Sequence, residues 1–363
     1  MALDAARYRT IDPQATGRAA VRTAFENQVA YCRDNEAPIT ALVCETLAGL
    51  IDGGRGGAVM ERIRAWPGPP LADALPLRVA GGLHALHLAG AAPGLAPIYA
   101  GGAPADAAER IARALEAHEG FLLPWLDGPP QTNEAGRSWA FAAAMLWLVA
   151  RGCPADFALF ELGSSAGINL MMNRYRFVLG DVSVGPADSG MRIAPVWRGA
   201  SPPDGAFGVA AAEGCDVAPV DLADPRQALR LRAYIWPDSP ERFARMDAAI
   251  ACAREEPPLI HHLNAGAFVE DILARPARPG VTRVIAHSVV WQYIPRDERR
   301  AITRAIEAAG EWADADAPLA WVSLEANRDT HRHELTLRWW PGGPQPVTLA
   351  SAHPHGSWVE WCG

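Results

Sequence analysis

The stretch Phe157–Tyr175, FALFELGSSAGINLMMNRY, decides the fold. A run of strand formers from Phe157 ends at Glu161 and passes through small residues into a helical pattern, which reads as a strand, a tight turn and a helix. Gly163 and Gly167, with Ser164, Ser165 and Ala166 between them, let the backbone turn sharply and leave amide groups at a helix N-terminus uncovered by side chains. Such a turn can hold an anion, a cofactor or a nucleophile.

Downstream of this turn, strands alternate with helices. PLIHHLN precedes helical AGAFVEDILAR, and TRVIAHSVVWQYI precedes helical RDERRAITRAIEAAGEW. This alternation predicts a largely parallel sheet with helices on both faces. PLAWVSLEA breaks it, because NRDTHR is too short for a parallel crossover to HELTLRWW. The sheet is therefore expected to finish with antiparallel strands, HELTLRWW and PVTLASA forming a hairpin near PGGPQ, with PVTLASA the last strand. Between the turn and PLIHHLN, RFVLGDVSVG and MRIAPVWRG read as two short strands joined through PADSG, and CDVAPVD as a strand ending at Asp221.

Upstream, the pattern is helical from about Arg18 to Asp127, with Val21, Phe25, Val29 and Cys32 on one amphipathic face. DGPPQTNEAGRSW marks a boundary, followed by an apolar helix from Glu134 to Ala150. The expected organisation is an all-helical N-terminal module, residues 1–130, and a Rossmann-like α/β domain, residues 131–363. The module is expected to cover the site and shape substrate access.

The chain has 363 residues, half of them hydrophobic, enough for about two domains and a sizeable core. A formal net charge of -8 argues against binding nucleic acid or an anionic membrane. All 33 basic residues are arginine. Without lysine there is no Walker-type phosphate loop, no Schiff base and no internal pyridoxal linkage. Six scattered cysteines form no C-x-x-C pair, MALDAARYRT lacks the apolar core of a signal peptide, and WAFAAAMLWLVA is too short to span a bilayer. These features predict a cytoplasmic protein acting on a small molecule; no motif fixes an oligomeric state.

Glu161, Gly163, Ser165 and Gly167 fill an acidic-x-G-x-S-x-G pattern that resembles the first motif of class I S-adenosylmethionine-dependent methyltransferases. The resemblance implies S-adenosylmethionine as cofactor. Glu161 would sit near its cationic end, while Gly163, Ser164, Ser165 and Gly167 would let the backbone approach, with Asn169 just beyond. Ser165 departs from the glycine common at its position. That family also places an acidic residue at the end of the second strand to hold the ribose hydroxyls. Asp181 has the better spacing, about 20 residues beyond the turn, whereas Asp221 ends the better strand and is preferred. Methyl transfer gains roughly 7 to 11 kcal/mol from alignment, so no fixed triad is expected. Catalytic or substrate-facing candidates are His287 and Gln292, with Ser288 and Tyr293 beside them, and Glu325 and His355, with Asn327 nearby.

The chain also resembles an uncharacterised bacterial family, domain of unknown function 2332, in QTNEAGR, ELGSSAGINLMMNRYRF, DVAPVD, YIWPDSPER, AHSVVWQYI and PHGSWVEW. That resemblance spans most of the final two thirds and implies no established activity.

Two other readings compete. Gly163–Gly167 also spells G-x-S-x-G, the nucleophile elbow of α/β-hydrolases, with Ser165 as nucleophile, Glu325 or Asp329 as acid and His353 or His355 as base. The helical residues before the first strand disfavour it. The third is a non-catalytic α/β protein binding a metabolite or partner. The expected hairpin sets His331 and His333 across from His355 and His353, but without a cysteine pair no metal site is assigned. His84 and His87 read as packed or surface residues, and Trp236 as packing.

Overall fold

A computed structural model describes residue 12, residues 14–330 and residues 332–363. The chain forms two compact units. One comprises the described residues through Thr132 together with Pro225–Phe243, and the other comprises Asn133–Asp224 and Ala244–Gly363. Pro225–Phe243 thus groups with the helical residues, although it lies within the α/β half of the sequence.

The first unit is helical. Helix Gly17–Asp34 buries Val21, Phe25, Val29 and Cys32, the face expected from their spacing. It packs on Pro38–Leu50, which opens with proline where no amide partner is needed. Asp238 fastens the later segment to this helix. Its carboxylate accepts from the Ile39 and Thr40 amides at 2.8 and 3.2 Å and from Thr40 Oγ1 at 2.8 Å. These amides begin a helix and have no partner within it, so Asp238 acts as a cap borrowed from a distant segment. Asp238→Ala should destabilise this unit by about 2 kcal/mol, read as a lower urea midpoint, and Asp238→Asn, which keeps one of the two accepting oxygens, should fall between Asp238→Ala and the parent.

The second unit is a mixed α/β structure of Rossmann-like form. Its strands are β1 (Asp156–Leu162), β2 (Arg176–Leu179), β3 (Val182–Val184), β4 (Arg192–Ile193), β5 (Val196–Arg198), β6 (Gly208–Asp216) and β7 (Leu259–His262). They continue with β8 (Val281–Ser288), β9 (Leu319–Asn327), β10 (Arg332–Trp340), β11 (Gly343–Ala352) and β12 (Trp358–Trp361). Nine strands form one sheet in the order β5-β12-β11-β10-β9-β8-β1-β6-β7. The run from β7 to β9 is parallel, and β9, β10, β11 and β12 are antiparallel neighbours.

Helices Ala265–Ala274 and Arg296–Gly310 pack on the face carrying Ala158, Phe160, Leu162 and Ile285. Helix Trp139–Val149 takes the other face, where Trp147 meets Trp339 of β10 edge-on at 4.9 Å. Its start differs from expectation: Ala135–Ser138 form a 3-10 turn before the α-helix begins.

Several short elements also differ. The second parallel strand is β6, ending at Asp216, and not CDVAPVD ending at Asp221. Alanine, glycine and glutamate dominate β6, types depleted in strands, and pairing on both sides with β1 and β7 overrides that preference. RFVLGDVSVG is itself a hairpin, β2–β3, which β4 joins in parallel to make a small separate sheet. β5 instead pairs in parallel with β12 at the edge of the large sheet, so PVTLASA is not the last strand.

Candidate functional site

The strand order reverses at β1, with β6 and β7 on one side and β8 and β9 on the other. Such a reversal opens a crevice beyond the carboxyl ends of parallel strands. The Gly163–Gly167 turn leaves β1 at that point.

Three residues of the turn are left-handed: Gly163 at φ 65°, Ser165 at 55° and Gly167 at 68°. Ser165 bears this without being glycine, a strain of roughly 1–2 kcal/mol. Neighbours also crowd both glycines. A Cβ on Gly163 would lie 2.2 Å from Val290 Cγ2, and one on Gly167 2.8 Å from Pro258 Cβ.

The amides of the turn are not uncovered as expected. Ser164 N–H donates to Cys215 O at 2.9 Å, Ser165 N–H to Asp216 Oδ2 at 2.8 Å, Gly167 N–H to Ser164 O at 2.8 Å and Ile168 N–H to Asn133 Oδ1 at 3.2 Å. The expected helix is a 3-10 segment, Ile168–Arg174. With these four amides engaged, the turn offers few free donors for a phosphate.

What it offers is a set of buried side-chain oxygens. Glu161 is 2% exposed, and its Oε1 accepts from Asn169 Nδ2 at 2.6 Å. Glu161 Oε2, Asn169 Oδ1 and Ser165 Oγ have no hydrogen-bond partner among the described residues. Burial pushes the Glu161 carboxyl up to about 8, against the opposing effects of the Asn169 hydrogen bond and the Arg137 charge; Asp216 pushes it further up. The free protein therefore keeps a proton on Glu161 at neutral pH. Once ionised, the Glu161 carboxylate beside Asn169 suits an ammonium or another donor-rich group better than an anion.

The carboxylate at the end of the second parallel strand is Asp216. Its two oxygens accept from Ser165 N and Ala218 N, both at 2.8 Å. Neither sequence candidate for this position holds it. Asp181 is exposed in the β2–β3 turn of the small sheet and accepts from Ser201 Oγ, and Asp221 lies past the strand, accepting from Ala223 N. Asp216 was legible as the acidic residue after AAAEGC only if that alanine-rich run was read as a strand.

His287 and Glu325 meet, but not at Glu161. Leu162 is in register with His287 and Glu161 with Ala286, so Glu161 and His287 project from opposite faces of the sheet. His287 is 1% exposed, its Nδ1 lies 2.7 Å from Glu325 Oε1, and its ring stacks on Trp291 with centroids 4.8 Å apart. His287 Nε2 has no partner among the described residues. Glu325 also accepts from the Val290 and Trp291 amides. Burial raises its pKa, but the His287 hydrogen bond and these amides outweigh that and lower it overall. Gln292 and Tyr293, beyond the same strand, are exposed.

The C-terminal loop comes to the Glu161 face. Arg137 Nε donates to Pro354 O at 2.8 Å, and a Cβ on Gly136 would lie 2.6 Å from His355 O, so the loop around His355 rests on the turn before helix Trp139–Val149. The His353 and His355 rings are 5.5 Å apart. His333 pairs with Ala352 in the β10–β11 register, beside His353; burial and the Arg137 charge both lower its pKa. His331 lies outside the described residues. Of the companions expected for His355, Glu325 is bonded to His287, and Asn327 Nδ2 donates to Glu334.

No imidazole is hydrogen-bonded to Ser165 Oγ among the described residues. Among those residues, no group of three or more His, Cys, Asp or Glu side chains could hold a metal ion. His84 and His87 stack with Tyr99 in the helical unit, and Trp236 packs edge-on to Tyr31. No described helix is long and apolar enough to cross a membrane. Asn133 and Arg137, which touch the turn and its loop, fall in a stretch that reads as a boundary because of its prolines.

No curated protein matches the chain. Residues 22–361 match a family described as uncharacterised proteins conserved in bacteria, domain of unknown function 2332, and the chain belongs to that family.

Proposed function

We propose that the chain is an S-adenosylmethionine-dependent methyltransferase-like enzyme acting on a small molecule. The observation that carries this reading is the trio of buried oxygens without hydrogen-bond partners among the described residues, Glu161 Oε2, Asn169 Oδ1 and Ser165 Oγ, at the reversal of the strand order. They fit the ammonium of the cofactor's amino acid portion. Asp216, at the end of the neighbouring strand, stands where the methyltransferase resemblance places the ribose-holding carboxylate. When bound, S-adenosylmethionine supplies an electrophilic methyl group. The chain's own contribution would be binding and alignment: Glu161, as a carboxylate, and Asn169 would hold the cation.

Thermal unfolding tests this directly. S-adenosylmethionine or S-adenosylhomocysteine at 100 times its dissociation constant should stabilise the protein by about 2.7 kcal/mol. Glu161→Gln should weaken binding at least tenfold, and Ser165→Ala should leave most of it. Absence of any shift with both ligands overturns the reading. The left-handed Ser165, with its unpartnered Oγ, keeps a serine hydrolase as the second reading. Labelling of Ser165 by a fluorophosphonate without a cofactor shift would establish that alternative, and silence in both tests would leave the chain a binding protein for another ligand.

A further inference from the structure

A cavity of about 430 Å³ lies on the helix-covered face of the sheet, toward the amino-terminal ends of β1, β8 and β9 and away from the glycine turn. Small side chains open it, among them Ala158, Ala211, Ala309 and Ala313. Phe160, Leu273, Val281 and Leu319 give it an apolar floor, and Trp312, 89% exposed, stands among the residues lining it.

Three arginines also line it, Arg275, Arg278 and Arg283. Two carboxylates also line it, and no ion pair joins either to Arg278 or Arg283 among the described residues. Glu213 holds Arg275 at 2.8 Å and His261 at 2.9 Å, and Asp314 accepts from the Asp316 and Ala317 amides. Arg275 is thereby neutralised, by Glu213 and also by Asp271. Arg283 is different: its Nη2 donates to the carbonyls of Arg275 and Pro276, but among the described residues neither it nor Arg278 has an ion-pair partner. A half-buried cation held over an apolar floor without a counter-charge is unfavourable unless an anion joins it. Burial and the charge of Arg275 both lower the Arg283 pKa, consistent with that deficit.

We propose that this cavity binds a small apolar carboxylate, with its hydrocarbon or aromatic body on the Phe160–Leu319 floor and its carboxylate at Arg283 and Arg278. The volume lies in the range of small-molecule sites, which combine an apolar lining with a few convergent polar groups. The apolar floor argues for a ligand with a body, so a bare inorganic anion is the wrong partner. This site is separate from the glycine turn and does not depend on the function proposed for it.

The test uses the full chain with sodium decanoate as probe, and decylammonium chloride and inorganic phosphate as comparisons, followed by thermal unfolding and titration calorimetry. Decanoate should bind saturably at one site and raise the melting temperature, whereas decylammonium and phosphate should not. The double variant Arg278→Gln/Arg283→Gln should bind decanoate at least tenfold more weakly, and Glu161→Gln should bind it unchanged. If the double variant fails to fold, Arg278→Gln alone, at an exposed position, should weaken binding severalfold. Non-saturable binding of decanoate, equal binding of decylammonium or phosphate, or full affinity in the arginine variants overturns the proposal.

Discussion

Replacing Glu161 by glutamine should stabilise the protein by roughly 3 to 5 kcal/mol above pH 8 and change it little near pH 5. The sign follows from the direction of the shift. Burial raises the folded carboxyl to about 8 from an ordinary 4.5. Between those values the unfolded chain has lost its proton while the folded chain keeps it, so stability is full below about 4.5 and is lost as pH rises through 8. Glutamine has nearly the shape of the protonated acid, can still accept from Asn169 Nδ2, and never ionises. The difference between variant and parent is the quantity to measure, by urea unfolding at several pH values. His84 in the helical unit has its pKa lowered by burial to about 4 and acts in the opposite direction, costing stability as pH falls below 6.5, but it cancels in that difference. A parallel pair of stability profiles would show that Glu161 is ionised in the folded protein.

The architecture was legible wherever periodicity and length agreed. The strand read from Phe157 to Glu161, observed as Asp156–Leu162, the alternation after it and the antiparallel finish all followed from apolar patterning and from linkers too short for a crossover. The β6 misreading has a physical cause. β6 is built from residues with little strand preference, and its Gly214 leaves room for Ser164, whose Oγ would lie 2.5 Å from an added Cβ, so packing against the turn sets its composition. The site was legible in Glu161, Ser165 and Asn169 because they are close in sequence. Asp216, Arg137 and Asn133 reach the turn or its loop only through tertiary contacts, which no local pattern encodes. His287 and Glu325 were singled out in separate groups, Glu325 with His355 and His287 with Gln292; side-chain alternation along β8 places His287 on the other face from Glu161, where it meets Glu325.

The same alternation gives Gly163 a role beyond the turn itself, because it lies between the two faces. Its φ of 65° favours glycine, and the Cβ of any other residue would sit 2.2 Å from Val290 Cγ2 and 2.9 Å from Val290 Cβ. Val290 is not free to yield, since its amide donates to Glu325 at 3.0 Å and Glu325 in turn holds His287. Gly163→Ala should therefore cost about 2–4 kcal/mol, part from the left-handed backbone and part from overpacking. Adding Val290→Ala removes the 2.2 Å contact but keeps the Cβ at 2.9 Å, so it should recover part of the overpacking share and leave the backbone cost, and the two changes should be non-additive by about 1 kcal/mol in a double-mutant cycle. Strict additivity would mean that Val290 does not press on the turn. A coupling of that size would show that the glycine turn packs directly against Val290, the residue whose amide donates to Glu325 at the reversal of the sheet.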